Sequence, residues 1–424
     1  MISQTVWLDQ LPNRWPVGRI KDHVALINGF PFDSQCFSES AGTRLVRIRD
    51  LTDGGELTYV DTAVPRAAMI DSGDLVVGMD GDFSVVTWSG GPAALNQRLC
   101  VLRARPSLDQ RFLGYLLAMP LKAINDVTYF TTVKHLSSGD LLGERIPVPP
   151  LRSQRAIADY LDRETAQIDA LIAAKRRMVE VLAERWQVVM RAAVSGLLGK
   201  ARHERRQTAI PWLDDLPAHW REAHLKLVAS LGTGHTPSRS HPEWWVDLTI
   251  PWITTGEVAQ MRSDRIEYIT ETRERISELG MTNSSARLHP AGTVALCRTA
   301  SAGYSAIMGK DMATSQDFAT WTCGPNLRPR FVLLCLRAMR QDLLGRLAMG
   351  STHQTIYMPD IESIKVPLPP LGEQDSIVEA TYSEQRALDD CSDHLAHQID
   401  LLQERRQALI AAAVTGQLDN PEAT

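Results

Sequence analysis

Between Gln154 and Gly196 the chain runs without proline or glycine, and a seam recurs at alternating steps of four and three. It passes through Leu161, Thr165, Ile168, Ile172, Lys175, Val179, Leu182, Trp186, Val189 and Ala193. This spacing predicts one long helix with a coiled-coil-like stripe, interrupted at Lys175. Near the other end Leu388, Leu395, Leu402 and Leu409 stand seven apart, with Ile399 and Ala413 on the alternate seam and Arg406 interrupting it. That pattern predicts a second helix of the same kind. Elsewhere the periods are shorter. Arg44–Arg49 alternates basic and apolar residues, which predicts a strand carrying Arg47 and Arg49 on one face. Residues 73–78 and 292–296 also read as strands, and 112–121 and 331–347 as helices.

The chain is one unit written twice. Trp7-Leu8-Asp9-Gln10-Leu11-Pro12-Asn13-Arg14-Trp15 is answered 205 residues later by Trp212-Leu213-Asp214-Asp215-Leu216-Pro217-Ala218-His219-Trp220. Ile146-Pro147-Val148-Pro149-Pro150-Leu151 is answered 220 residues later by Val366-Pro367-Leu368-Pro369-Pro370-Leu371, with Gln154 matching Gln374. The offset of 220 persists to Ala192-Ala193-Val194-Ser195-Gly196 and Ala412-Ala413-Val414-Thr415-Gly416. The offset grows between Gly29/Gly234 and Gly73/Gly292, so the second copy carries about 14 extra residues near Trp244 to Arg275. The expected fold class is α/β, with two tandem mixed α/β globules, each followed by a long helix. The two helices are expected to pair as an antiparallel coiled coil with pseudo-two-fold symmetry. The expected divisions are 1–150, 151–200, 201–370 and 371–424.

Composition adds limits. With 424 residues, 44% hydrophobic and 22% charged, the chain can bury a core. No run approaches the ~18 apolar residues of a membrane span, and no leader-like start is visible, so a cytoplasmic protein is expected. Cys36, Cys100, Cys297, Cys323, Cys335 and Cys391 are scattered without metal-binding spacing, which suggests reduced thiols. The net charge of −5 hides a distribution: −2 over 1–150, +5 over 151–206, zero over 207–370 and −8 over 371–424. Opposite charge on the two helices favours their pairing, although exposed ion pairs contribute only ~0.2–1 kcal/mol each.

Catalytic motifs are missing. Gly196-Leu197-Leu198-Gly199-Lys200-Ala201 has the wrong spacing for a phosphate-binding loop and no hydroxyl for magnesium. Pro149-Pro150 and Pro369-Pro370 lack the neighbours of a base-flipping methyltransferase loop and read as boundaries. Asp360, Glu362 and Lys365 caricature a metal-dependent nuclease, but the first copy has Asp140, Glu144 and Arg145 there. Ser301 and Ser305 lack a nucleophile elbow. No catalytic residue, metal site or resident cofactor is expected.

Two similar globules with two-fold pseudosymmetry suit two DNA half-sites facing opposite ways, and divergent globules imply an asymmetric target. A helix of about 43 residues spans ~65 Å, enough to act as a ruler between them. The duplicated W-L-x-x-L-P-x-x-W openings, the proline boundaries followed by Gln154 and Gln374, and the A-A-V-[ST]-G endings resemble the specificity subunits of type I restriction-modification systems. The likeness covers essentially the whole chain. It implies that each globule is a target recognition domain binding double-stranded DNA. It further implies that the helices dock two adenine-methylating modification subunits, and that restriction (nuclease-translocase) subunits join the full assembly. S-adenosylmethionine, ATP and magnesium would then belong to the partners. The second globule fits the family pattern through Gly234-His235-Thr236-Pro237-Ser238, Ser315-Gln316-Asp317-Phe318 and Gly350-Ser351-Thr352-His353-Gln354. The first departs from it, with Gly29-Phe30-Pro31-Phe32, Asn96-Gln97-Arg98-Leu99 and Thr131-Thr132-Val133-Lys134-His135.

Base edges favour Arg, Lys, Asn and Gln, and phosphates favour Arg, Lys and hydroxyls. The candidate DNA contacts are Arg47, Arg49, Asn96, Gln97, Arg98, Lys134, His135, Arg298, Gln316, His353, Gln354 and Tyr357. Helix-pair and partner contacts are expected from Leu161, Ile168, Ile172, Leu182, Trp186, Leu388, Leu395, Ile399, Leu402 and Leu409. Trp15 and Trp220 read as core anchors. The rival readings are a helical interaction scaffold without DNA reading, and a cryptic metal-dependent nuclease using Asp360, Glu362 and Lys365.

Overall fold

The structure is a computed structural model that describes residues 8, 11, 15–51, 57–127, 134–198, 203–348 and 354–418. His353, Trp7, Pro12, residues 131–133 and 350–352, and Gly199 and Lys200 lie outside the described residues. Two compact units divide the chain, residues 1–175 with 397–424 and residues 176–396.

The first unit contains β1 (Val17–Arg19), β2 (Val24–Asn28), β3 (Thr43–Val46), β4 (Leu75–Gly78), β5 (Val85–Thr87), β6 (Ala93–Leu95), β7 (Leu99–Ala104) and β8 (Arg145–Pro147). One antiparallel sheet has the order β2-β7-β4-β5, and a second is built around the parallel pair β3 and β6, with Val46 opposite Leu95. Every residue of β4 and the first four of β7 are buried, which explains their unbroken apolar runs. The short helices α1 (Gln110–Leu116), α2 (Ala118–Val127) and α3 (Ser138–Gly143) follow. Asp109 caps α1 by accepting from the amides of Arg111 and Phe112, and Ser137 caps α3.

The second unit repeats this plan. It contains β9 (Arg221–His224), β10 (Ala229–Thr233), β11 (Ile250–Ile253), β12 (Val294–Cys297), β13 (Ser305–Met308), β14 (Ala313–Thr314), β15 (Phe318–Cys323) and β16 (Lys365–Leu368). The order β10-β15-β12-β13 and the parallel pair β11 and β14 match the first unit, and β9 pairs with β16 as β1 does with β8. Its short helices include α4 (Pro329–Ala338) and α5 (Met358–Ser363). Val46 and Ile253 hold the same place, 207 residues apart, while Gly73 and Gly292 are 219 apart. Most of the added residues therefore fall after Ile253.

One expectation fails here. The strand ends at Val46, and Ile48–Leu51 is a 3-10 turn, so Arg47 and Arg49 do not share a strand face. The cause is Asp50, whose carboxylate accepts the Arg47 amide at 2.7 Å and closes a turn. Arg47 then lies over Phe37, and Arg49 donates to Thr58.

The duplicated motifs have physical explanations. Each proline pair keeps the chain extended up to the first residue of a long helix, Leu151–Val194 and Leu371–Val414. Gln154 is fully buried, accepting the Asp109 amide and donating to the carbonyls of Ser107 and Pro149. Gln374 repeats this with the Arg328 amide and the carbonyls of Asn326 and Pro369. Each helix ends at a glycine with positive φ, Gly196 at 72° and Gly416 at 70°. The next amide, of Leu197 or Gln417, reaches back to the carbonyl of Ala192 or Ala412, closing a Schellman turn.

Both units contain antiparallel helix pairing. In the first, Asp169 meets Arg406 and Lys175 meets Gln398, so the two polar interruptions of the seams reach across to the facing helix. In the second, Arg185 meets Glu384 at 2.6 Å. All ten predicted seam residues are buried or half-buried. The acidic second helix, however, spends most of its described ion pairs on the globule rather than on the first helix. Glu373 receives His219 and the Trp220 indole, Asp375 receives Arg328, Glu379 receives Arg330, and Asp389 and Asp393 receive Arg265. Deeper in the second unit, Asp264 takes a bidentate contact from Arg340 and faces the fully buried Arg337. Its carbonyl accepts from Arg337 and from Gln385 of the second long helix.

His289 is 7% exposed. Burial, helped by the charge of Arg287, pushes its imidazole below the ordinary value of 6.5. Its contribution to stability is thus complete above pH 6.5 and is lost as pH falls toward the lower folded value, because the unfolded chain takes up the proton first. The second unit should weaken below pH 6.5 by up to about 1.4 kcal/mol per pH unit. His289→Gln should flatten that slope in denaturant titrations between pH 6.5 and 5.5, and an unchanged slope would exclude His289 as its source.

Candidate nucleic-acid interface

In the first unit, the loops after β2, β4 and β6 and the segment before α3 converge. Gly29 makes this possible: a side chain there would begin 2.0 Å from the Asn96 carbonyl oxygen. The Phe30 amide bonds Leu95, the Asn96 amide bonds Val46, the Met79 amide bonds Arg98, and the Leu136 amide bonds Met79. These bonds place Asp80, Arg98 and His135 side by side. Arg98 Nη1 donates to Asp80 Oδ2 at 2.5 Å, and His135 Nδ1 lies 2.8 Å from Oδ1. The Asp80 side chain is 13% exposed, against 62% for Arg98 and 64% for His135. Burial works to raise the Asp80 pKa, but hydrogen bonds and charge from His135 and Arg98 outweigh it and hold the carboxyl below its ordinary range. An ionised Asp80 only accepts, so His135 Nδ1 must be the donor.

The other candidates of this unit divide. Gln97 is exposed beside Arg98. Asn96 Oδ1 accepts the Arg98 amide and so serves the turn. Lys134 points inward, donating to the carbonyl and side chain of Asn125 at 2.9 Å. Arg47 follows Val46, whose carbonyl holds Asn96, so it borders the same loops.

The second unit builds the same frame from different side chains. A side chain at Gly234 would begin 1.7 Å from the Thr314 carbonyl oxygen. His235 bonds Thr314, Ser315 bonds Ile253, Arg298 bonds Asp317, and Ile356 bonds Arg298, each through its amide. Ser315 Oγ accepts the Asp317 amide where Asn96 serves the first unit. Thr299 and Asp317 now stand where Asp80 and Arg98 stood, with Thr299 donating to the carboxylate at 2.5 Å. Arg298 donates its Nε to the Gln316 carbonyl, and Thr236 donates to the Gln316 side chain at 2.7 Å. Gln354 and Tyr357 are exposed at the start of α5. Asp80, Thr299 and Asp317 are not among the contacts expected from the sequence, although aligning the copies at Gly73 and Gly292 pairs Asp80 with Thr299 and Arg98 with Asp317.

Trp220 lies in the core of the second unit, and Trp15 packs partly buried against that of the first. Glu362 is bound to Lys226 at 3.0 Å, and Lys365 begins β16. Among the described residues, no cluster of three His, Cys, Asp or Glu side chains is placed to hold a metal, and no helix is long and apolar enough to cross a membrane. The six cysteines are unpaired, and burial pushes the thiol of Cys100 up to about 12. A cleft of about 560 Å³ lined by Lys226, Ser230, Thr322 and Asn326 lies at the opposite ends of β10 and β15 from the loops. Chemically, the loop clusters offer directional donors and acceptors on a hydrogen-bonded backbone, which suits reading base edges.

Residues 12–180 and 217–383 match the family model described as the type I restriction modification DNA specificity domain. The chain is 28% identical over 408 residues to the type I restriction enzyme EcoBI specificity subunit of Escherichia coli, covering 94% of this chain and 85% of that protein. It is 22% identical over 447 residues to a putative MjaX specificity subunit of Methanocaldococcus jannaschii, covering 97% and 95%. A chain solved in work on complex assembly and conformational transition of the type I R-M system shares the fold. Its TM-score is 0.65 at 20% identity, over 96% of this chain and 99% of that one.

Proposed function

Because the chain belongs to the type I restriction modification DNA specificity family, we propose that it reads a bipartite, asymmetric duplex target and carries that reading to partner adenine methyltransferase and restriction subunits. The observation that carries this reading is the duplicated loop frame, closed by the same backbone hydrogen bonds in both units but furnished with Asp80 and Arg98 in one and Thr299 and Asp317 in the other. One backbone with two sets of donors and acceptors suits two half-sites of different sequence. The long helices set the spacing of the half-sites and offer the methyltransferase an apolar face, for which the exposed Met178, Val181 and Val188 are suited. Catalysis resides in the partners, which bring S-adenosylmethionine, ATP and magnesium, and this chain works in the cytoplasm beside the DNA.

The test is a long-read adenine-methylation map of cells carrying the partner methyltransferase, with and without this chain. A chain-dependent motif of two unlike halves around a fixed gap is expected, and its gap should change when whole heptads are added to both helices. Absence of any such motif, with the partner expressed and bound, would overturn the reading in favour of a scaffold without DNA recognition.

A further inference from the structure

Resting on that reading, we infer that Arg98 recognises a guanine in the half-site of the first unit and that Asp80 is the residue positioning it. Arg98 spends only Nη1 on the protein; its Nε and Nη2 make no described contact, and the side chain is 62% exposed. A guanidinium held at one corner presents a planar edge of remaining donors, the shape that matches O6 and N7 of guanine. The carboxylate decides between base and phosphate. Asp80 lies against Arg98 and would repel a phosphate brought to the same place, so the pair has little net attraction for backbone charge. A guanine edge carries no net charge and supplies two acceptors, so it loses far less to that repulsion than a phosphate does. His135 occupies the second oxygen of Asp80 and so restrains the carboxylate that orients Arg98. The second unit cannot read in this way. Its equivalent of Arg98 is Asp317, already satisfied by Thr299 and Ser315.

The methylation map of the assembled complex tests this with Arg98→Ala, Arg98→Lys and Asp80→Asn. The wild-type motif should contain a guanine whose preference falls about 10- to 100-fold in Arg98→Ala, while the other half of the motif stays intact and reports a folded chain. Arg98→Lys keeps the charge but not the fork and should relax the same position, which covers the case of an alanine variant that supports no methylation. Asp80→Asn should relax that position less, because it frees the arginine without removing it. A motif that keeps every base in the arginine variants would overturn the assignment while leaving DNA reading in place. So would a uniform loss at all positions with a shallower salt dependence, the signature of a phosphate contact. A wild-type chain with no motif at all would remove the underlying reading and this assignment with it.

Discussion

Asp264→Ala should cost the second unit about 3–5 kcal/mol, the usual consequence of removing one partner from a buried ionic cluster. The Asp264 side chain is 4% exposed and faces Arg337 at 0% and Arg340 at 13%. Alanine would leave both guanidinium groups facing each other without a counter-charge. It would also hold a residue at φ 56°, a region that aspartate and asparagine enter more readily than alanine. Asp264→Asn keeps that preference and one acceptor and should fall between alanine and wild type. Seven of the ten tryptophans lie in residues 176–396, so denaturant unfolding followed by tryptophan fluorescence reports mainly this unit. A loss below 1 kcal/mol would mean that the cluster is solvated or repacks readily.

Gln374→Ala should cost on the order of 3 kcal/mol, because three backbone groups lose their partner at about 1 kcal/mol or more each. The Arg328 amide and the Asn326 and Pro369 carbonyls all depend on one fully buried side chain. Gln374→Glu keeps the acceptor but loses both donors and buries a charge, so it should be worse than alanine. Amide exchange at Arg328 gives a local readout, and retained protection there would contradict the role. Gln154→Ala should behave alike in the first unit, exposing the Asp109 amide.

How far the sequence could be read depended on the range of the interactions. The long helices were legible because their seam is a local periodicity, and Leu161, Ile168 and Leu388 are buried as that period requires. Gln154 and Gln374 were visible as a repeated letter, but their role was not, since each bonds groups 45 to 48 residues away. Arg47 and Arg49 were misplaced because alternation over six residues fits a strand until a carboxylate three positions on turns the chain. The helix charges suggested mutual attraction, yet arginines more than 40 residues upstream claim much of the acid, a pairing no local pattern reveals. At the loops, the letters Asn96, Gln97 and Arg98 were read together as contacts. Only the hydrogen-bonded frame separates the turn-forming Asn96 and the inward Lys134 from the outward Arg98 and His135.

The division of the long helices between the units bears on the order in which the protein can be made. The first unit buries Ile157, Ala158 and Leu161 in the same core as Ile410, Ala413 and Val414. A chain emerging from the ribosome presents the first globule more than two hundred residues before the segment that closes its core. The second unit, residues 176–396, is contiguous and can close as soon as it emerges. Completion of the two cores therefore runs against chain order: Ile410, Ala413 and Val414 can join the core of the half synthesised first only after all of residues 176–396 has been made.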